Sequence, residues 1–370
     1  MAASEGLSRL TCVAALPTGV FAELAIKCRS KDDLLGEAIC IRSLGDIALR
    51  RSDHEGAQSA FEEAMPLFLR VGSVLGEANC IKRLGDIALR RSDHDWARSA
   101  YEEARPLYRR AEEGLGEADC ILGMGEIALS CSDYGEALSA YEGALLLYRQ
   151  IGSVLGEANC IKRLGDIALR RRDYGCAGSA YEEARPLYRR VGSLQGEADC
   201  ILSIGEIALS RSDHDGARSA YEEAIRLYRR VGDLQGEGNC IKCLGDFALR
   251  HSDHDSARSA YEEAIPLYRR VGDSRGEANC IHRLGAIALS RSDHDGARSA
   301  FEQAMPLYQR VGSLQGAADC ILGLGEIALS RSDHDVARST FEQALALYRR
   351  AGSLQGEGNC TQKLAEIPKH

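Results

Sequence analysis

Large side chains are scarce in this chain of 370 residues: aromatics make up 6% of it, with a single Trp, six Phe and four Met. So little bulk argues against one thick core. It suits helices drawn close through small residues, and 38 glycines supply them. No run of 18 or more apolar residues occurs, so nothing here spans a membrane. Basic charge does not prevail either: 46 Lys and Arg stand against 55 Asp and Glu, a formal net charge of −9. That balance disfavours a general binder of nucleic acid or of anionic membranes, a local basic patch aside. No Gly-rich phosphate loop, HExxH or GxSxG is present, and most acidic positions recur along the chain. A catalytic centre needs a convergent, unique constellation, so neither catalysis nor a cofactor nor a metal is expected. What remains is ordinary for a soluble folded protein: 45% hydrophobic and 27% charged residues.

Cysteine, by contrast, is plentiful at 14. In a short secreted chain that number would imply a disulfide framework, but this chain is not short. Its only signal-like stretch, Val13 to Ile26, is broken by Pro17, Gly19 and Glu23. A cytoplasmic protein with reduced thiols is the expectation, and the sequon-like Asn359-Cys360-Thr361 is then fortuitous.

A forty-residue repeat dominates everything else. Leu44-Gly45-Asp46-Ile47-Ala48-Leu49 returns at Leu84 and Leu164 and, slightly altered, at Met124, Ile204, Leu244, Leu284 and Leu324, with no insertion between copies. Cys40, Cys80, Cys120, Cys160, Cys200, Cys240, Cys280, Cys320 and Cys360 keep the same beat. Neighbouring thiols in stacked helix pairs fall about 10 Å or more apart, beyond disulfide or shared-zinc reach. They read as small buried hydrophobes. Cys240 and Cys243 form the only close pair, while Cys131 and Cys176 lie nearer the surface. The recurring His54, His94, His214, His254, His294 and His334 exchange with Tyr134 and Tyr174, which suits half-buried turn plugs better than ligands.

Each unit reads as two helices. In the second, helix A runs from about Val74 to Arg91, with Ala78, Ile81, Leu84, Gly85, Ala88 and Leu89 at helical spacing on one face. A turn follows, with Asp93 as N-cap. Helix B runs from about His94 to Ala111, carrying Ala97, Ala100, Tyr101, Ala104, Leu107 and Tyr108 inward. Pro66, Pro106, Pro186, Pro266 and Pro306 fall some three turns into helix B, where each should bend the helix without ending it. Trp96 replaces a residue that is Gly216 or Gly296 elsewhere and should be exposed.

Ile81, Leu84-Gly85, Ala88, Ala97, Tyr101 and Ala104 carry a family resemblance. The chain resembles a tetratricopeptide-repeat array, of the forty-residue type seen in kinesin light chains and in the helical arms of some signalling ATPases. Ile81 and Ala88 depart from the motif's usual Trp and Tyr, which implies closer helix packing. The resemblance implies an all-α, right-handed superhelical solenoid of antiparallel two-helix repeats. Residues 1–34 form an N-terminal cap with a degenerate partial repeat, ragged over residues 1–20. Residues 35–350 form eight repeats and 351–370 a capping helix. Stacked pairs share one elongated core that no single pair could stabilise. The mid-helix glycines Gly85 and Gly165 would cost about 0.5–1 kcal/mol each unless the helix B backbone approaches them closely.

The repeats come in two kinds. In the second, fourth and sixth, one face of helix A carries Asn79, Lys82, Asp86 and Arg90, then Asn159, Lys162, Asp166 and Arg170, then Asn239, Lys242, Asp246 and Arg250. In the third, fifth and eighth it carries Asp119, Leu122, Glu126 and Ser130, Asp199, Leu202, Glu206 and Ser210, and Asp319, Leu322, Glu326 and Ser330. The seventh is a hybrid with Asn279, His282, Ala286 and Ser290. Spacings of three and four put each set on one face. In the family that face lines a concave groove and contacts ligands, so the resemblance implies a groove of alternating charge with apolar points, its asparagines able to bond an extended backbone. The alternative is a solvated face whose i,i+4 pairs merely support the helix.

The function expected is a protein-interaction scaffold or adaptor holding a protein or peptide of mixed charge, without membrane or nucleic-acid partner. The alternatives are the regulatory or sensor arm of a larger nucleotide-binding signalling protein and a structural solenoid self-associating through its repeat ends.

Overall fold

A computed structural model describes residues 18–368, and every regular element among them is an α-helix. The chain divides into two compact units, up to Val191 and from Gly192 onward. The first unit opens with α1 (Thr18–Arg29) and continues through four helix pairs, α2 (Leu34–Arg50) with α3 (His54–Arg70), α4 (Val74–Arg90) with α5 (His94–Arg110), α6 (Gly114–Ser130) with α7 (Tyr134–Ile151), and α8 (Val154–Arg170) with α9 (Tyr174–Arg190). The second holds four pairs, α10 (Leu194–Ser210) with α11 (His214–Val231), α12 (Leu234–Arg250) with α13 (His254–Val271), α14 (Ser274–Ser290) with α15 (His294–Arg310), and α16 (Leu314–Ser330) with α17 (His334–Ala351), then α18 (Leu354–Glu366) alone. Each unit is a stack of two-helix repeats, even-numbered helices being the A and odd-numbered the B members.

Local sequence marks most of the boundaries, though Glu113 and Ser153 begin their helices without a side-chain cap bond. At the end of α4 the Asp93 N–H reaches back to the Ala88 carbonyl at 3.0 Å, and Ser92 takes the left-handed conformation at φ 61° that such a reversal requires. Asp93 then caps α5, its Oδ1 accepting the Trp96 N–H at 3.2 Å. Between α7 and α8 the left-handed residue is Gly152, at φ 72°. Helices α3, α5, α9, α13 and α15 all pass through their internal prolines without ending.

Helix B buries one stripe, which on α5 is Ala97, Ala100, Tyr101, Ala104 and Tyr108. Helix A buries two sides: on α4, Cys80 and Ile87 are sequestered along with Ala78, Ile81, Leu84 and Ala88, while Leu89 is half-buried. The mid-helix glycines have a different cause from the one their spacing suggests. A side chain at Gly85 would meet the Tyr101 ring at 3.0 Å and the Ala100 methyl at 3.1 Å, and one at Gly165 would meet Ala180 and Tyr181 at 3.1 Å. It is the helix B aromatic ring, not the helix B backbone, that fills the space glycine leaves.

The nine-membered cysteine ladder is fully buried, and burial pushes the thiols of Cys80, Cys120 and Cys160 up to about 12. A thiolate is the reactive form, so these are inert packing groups. Cys131 and Cys176 are exposed, as is Trp96. Cys28, off that ladder, is buried as well. Helix α1 lies in helix B register, with buried Phe21 and Cys28 forty residues before Phe61 and Phe68. Residues 1–17 of the expected cap lie outside the described residues. At the other end, Lys363 of α18 bridges Glu326 at 3.6 Å and Glu366 at 3.5 Å.

Candidate functional site

The A helices present a polar stripe, and two layers of phenol hydroxyls from the B helices hold it in place. Tyr108 donates to Asn79 Oδ1 at 2.9 Å, Tyr148 to Asp119 at 2.6 Å and Tyr188 to Asn159 at 2.8 Å in the first unit. In the second, Tyr228 donates to Asp199 at 2.7 Å, Tyr268 to Asn239 and Tyr308 to Asn279 at 2.8 Å, and Tyr348 to Asp319 at 2.5 Å. A second layer lies seven residues along: Tyr101 donates to Asp86 at 3.0 Å, Tyr141 to Glu126 at 3.0 Å, Tyr181 to Asp166 at 2.8 Å and Tyr261 to Asp246 at 2.7 Å. Burial first, then the neighbouring Asp86, raises Tyr101 above the ordinary phenol range, so these hydroxyls stay protonated as donors. With each asparagine oxygen accepting from a phenol, the amide N–H donors of Asn79, Asn159, Asn239 and Asn279 remain available.

Cations tie successive A helices together. Lys82 Nζ lies 3.4 Å from Asp86 and 3.3 Å from Asp119 of the next repeat, its side chain only 14% exposed. Lys162 reaches Asp166 at 3.7 Å and Lys242 reaches Asp246 at 3.0 Å. The arginine after Lys82 and after Lys162, absent from the sequence-derived set, does more, though Cys243 holds that place after Lys242: Arg83 bridges Asp46 at 3.1 Å and Asp86 at 3.2 Å, and Arg163 bridges Glu126 at 2.7 Å and Asp166 at 3.2 Å. Burial works against the Arg83 charge, yet Asp46 and Asp86 outweigh it and raise its pKa. Arg283 keeps only the backward bond, to Asp246 at 3.4 Å, since its own repeat has Ala286.

The sequence-derived set therefore divides. Lys82, Asp86 and Asp119 form one connected cluster with Arg83, Glu126 and Asp166 form another through Arg163, and Asn79 is held apart from them by Tyr108. Arg90, Arg170 and Arg250 stand apart and exposed, and Glu206 is exposed as well. Leu122, Leu202 and Leu322 are half-buried and pack against the core clusters. The hydroxyls of Ser130, Ser210 and Ser330 bond their own helix backbones at 2.8, 2.9 and 2.7 Å. His282 replaces the lysine in the seventh repeat and packs on the Phe301 ring, centroids 5.4 Å apart. Burial, the largest influence on it, lowers its pKa, so it is neutral at pH 7. The first repeat, which the sequence reading left out, places Arg42, Asp46 and Arg50 in the same register forty residues earlier.

The turn histidines begin the B helices half-buried; His94 Nδ1 lies 3.5 Å from the Cys131 thiol, and His294 Nδ1 lies 3.4 Å from the Ser330 hydroxyl. Among the described residues no group of three or more His, Cys, Asp or Glu could hold a metal ion, and no helix is long and apolar enough to cross a membrane.

The tetratricopeptide-repeat profile matches residues 32–110, 197–270, 239–310 and 277–350. No curated protein sequence matches the chain. Solved structures do, at low identity. A signal-transduction ATPase with a tetratricopeptide-repeat sensor from Pyrococcus horikoshii matches at TM-score 0.70 and 12% identity, over 94% of this chain and 55% of that one. The apo quorum sensor NprR from B. thuringiensis matches at 0.62 and 13%, over 89% and 97% of the two chains. The Rap conjugation gene regulator of the plasmid pLS20, in complex with the Phr* peptide, matches at 0.53 and 15%, over 76% and 77%.

Proposed function

Because this chain belongs to the tetratricopeptide-repeat family, we propose that its A-helix face is a docking surface for a protein or peptide segment of mixed charge, and that the protein works as an adaptor. The observation that carries this reading is the pinned stripe. An ordinary solvated face leaves its polar side chains free to move; here phenol hydroxyls and cross-repeat ion pairs fix them, so less side-chain entropy is lost when a partner binds. In the first unit, amide donors on Asn79 and Asn159 and exposed Arg90 and Arg170 offer a backbone-bonding and anion-pairing pattern two repeats apart. The similar Rap regulator was solved with a peptide bound.

Charge reversal at Lys82 would test this poorly, since that ammonium belongs to the internal lattice. The better test pans a random twelve-residue display library against the full chain. Selected peptides should lose affinity roughly tenfold on Arg170→Glu and on Asn159→Ala, with unchanged helicity by circular dichroism. If nothing is selected, or if both variants bind as the original does, the docking reading is wrong. The likeness to the Pyrococcus ATPase favours a second reading, a sensor arm within a larger signalling protein. A nucleotide-binding domain encoded in the same gene would support it.

A further inference from the structure

We propose that the first two A helices form an acceptor cleft for clustered carboxylates, so that the docked segment carries an acidic stretch there; this rests on the docking reading above. The cleft, about 610 Å³, is lined by Arg42, Asp46 and Arg50 of α2 and by Arg83 and Arg90 of α4. Four guanidinium groups thus face one carboxylate, and that carboxylate is already bonded to Arg83. Arg50 and Arg90 are exposed and make no ion pair among the described residues. Arg42 is half-buried, and its Nε is buried with no hydrogen-bond partner among them. A desolvated, charged donor without an acceptor is costly to leave unmet, and folded proteins rarely do so without a ligand or water to complete it.

Elsewhere along the stripe Lys162, Arg163, Lys242 and Arg283 are paired, and Arg170 and Arg250 stand singly. In the second unit the cleft of about 570 Å³ beside Phe247 also carries arginines, but Arg229 there bonds Glu237 at 2.6 Å and Glu263 at 2.9 Å, and Arg218 lies over the Phe247 ring at 5.1 Å. The cleft of α2 and α4 is where unpaired positive charge gathers against an overall −9. A guanidinium fork matches a carboxylate in two parallel bonds, and several on one wall suit successive acidic side chains. The acids that line the rest of the stripe would repel a long phosphodiester chain.

The test uses the full chain and a fluorescein-labelled hexaglutamate, with hexalysine, oligothymidine and inorganic phosphate as comparators in fluorescence anisotropy. Hexaglutamate should bind in a salt-sensitive manner, hexalysine should not, and Arg42→Gln should weaken binding roughly tenfold. Arg50→Gln and Arg90→Gln, exposed and unable to disturb the core, should each weaken it severalfold, while Lys242→Gln should leave it alone. The proposal is overturned if hexaglutamate does not bind, if the arginine variants bind it unchanged, or if oligothymidine or millimolar phosphate proves the preferred occupant of the same arginines. Should library-selected peptides bind without regard to the three arginines, the cleft assignment fails while the docking surface stands. Should the library yield nothing, hexaglutamate still decides the cleft on its own.

Discussion

The second and seventh repeats carry the same asparagine early in their A helices and then part company. Asn79 and Asn279 each take a hydroxyl from the last tyrosine of helix B, Tyr108 or Tyr308. One turn on, Lys82 reaches across to Asp119, whereas His282, facing the equivalent Asp319, is neutral. A further turn on, Asp86 accepts from Tyr101; in the seventh repeat both members of that pair are missing, replaced by Ala286 and Phe301. The two repeats show that the polar stripe is built on top of the fold and is not a condition of it. Beneath it, the ring still seats against the helix A glycine, a side chain on Gly85 meeting Tyr101 at 3.0 Å and one on Gly285 meeting Phe301 at 2.8 Å.

If that separation of layers is right, the largest effects should ignore it. Gly85→Leu and Gly285→Leu both force a side chain into an occupied ring socket, and each should cost about 3 kcal/mol in urea denaturation. A large loss at one site with none at the other would mean the charged and neutral repeats are packed differently. Gly165→Leu should behave as they do.

The polar layer should respond oppositely in the two repeats. Tyr101→Phe strands Asp86 Oδ1 and should cost about 1 kcal/mol, the usual net worth of such a bond. Phe301→Tyr would introduce a hydroxyl with no carboxylate opposite it at Ala286, and should cost about as much. Adding Ala286→Asp to Phe301→Tyr should recover most of that loss, giving a coupling of about 1 kcal/mol in a double-mutant cycle. Additive effects would show that the tyrosine hydroxyl and the carboxylate are merely neighbours.

Much of this was legible in one sequence because the period is so regular. The forty-residue beat locates the helix pairs: expected bounds of Val74–Arg91 and His94–Ala111 compare with Val74–Arg90 and His94–Arg110. Asp93 as cap, the buried thiol ladder and exposed Trp96 follow from the same register. What sequence did not disclose depends on how neighbouring helices cross. Tyr108 and Asn79 lie 29 residues apart, Tyr101 and Asp86 15, and no linear periodicity says that their polar tips meet. The bridging role of Arg83 was hidden for the same reason, because its partner Asp46 belongs to the preceding repeat. One clue was present: the repeat that loses its acid at Ala286 also loses its hydroxyl at Phe301. It is a partial clue, since the first repeat sets Phe61 with Asp46, whose oxygen takes Arg83 instead.

The finest distinction between the two repeats is a titration. His282 has a pKa below the ordinary 6.5, burial being the main cause and Arg283 adding to it, while Asp319 pulls the other way. A base whose folded pKa is depressed binds fewer protons folded than unfolded between the two values. Its contribution is therefore present in full above about pH 6.5, the unfolded value, and is lost as the pH falls through the folded one. Lys82, at the same place in the second repeat, is held instead in ion pairs with Asp86 and Asp119. Urea midpoints of the original chain and of His282→Gln, taken from pH 7.5 down to pH 5, should therefore converge as the medium becomes acidic. Parallel curves would mean that the imidazole is solvated in the folded state. If the gap instead widened in acid, with His282→Gln falling further behind, Asp319 would dominate over burial, and the seventh repeat would carry a charged bridge as the second does.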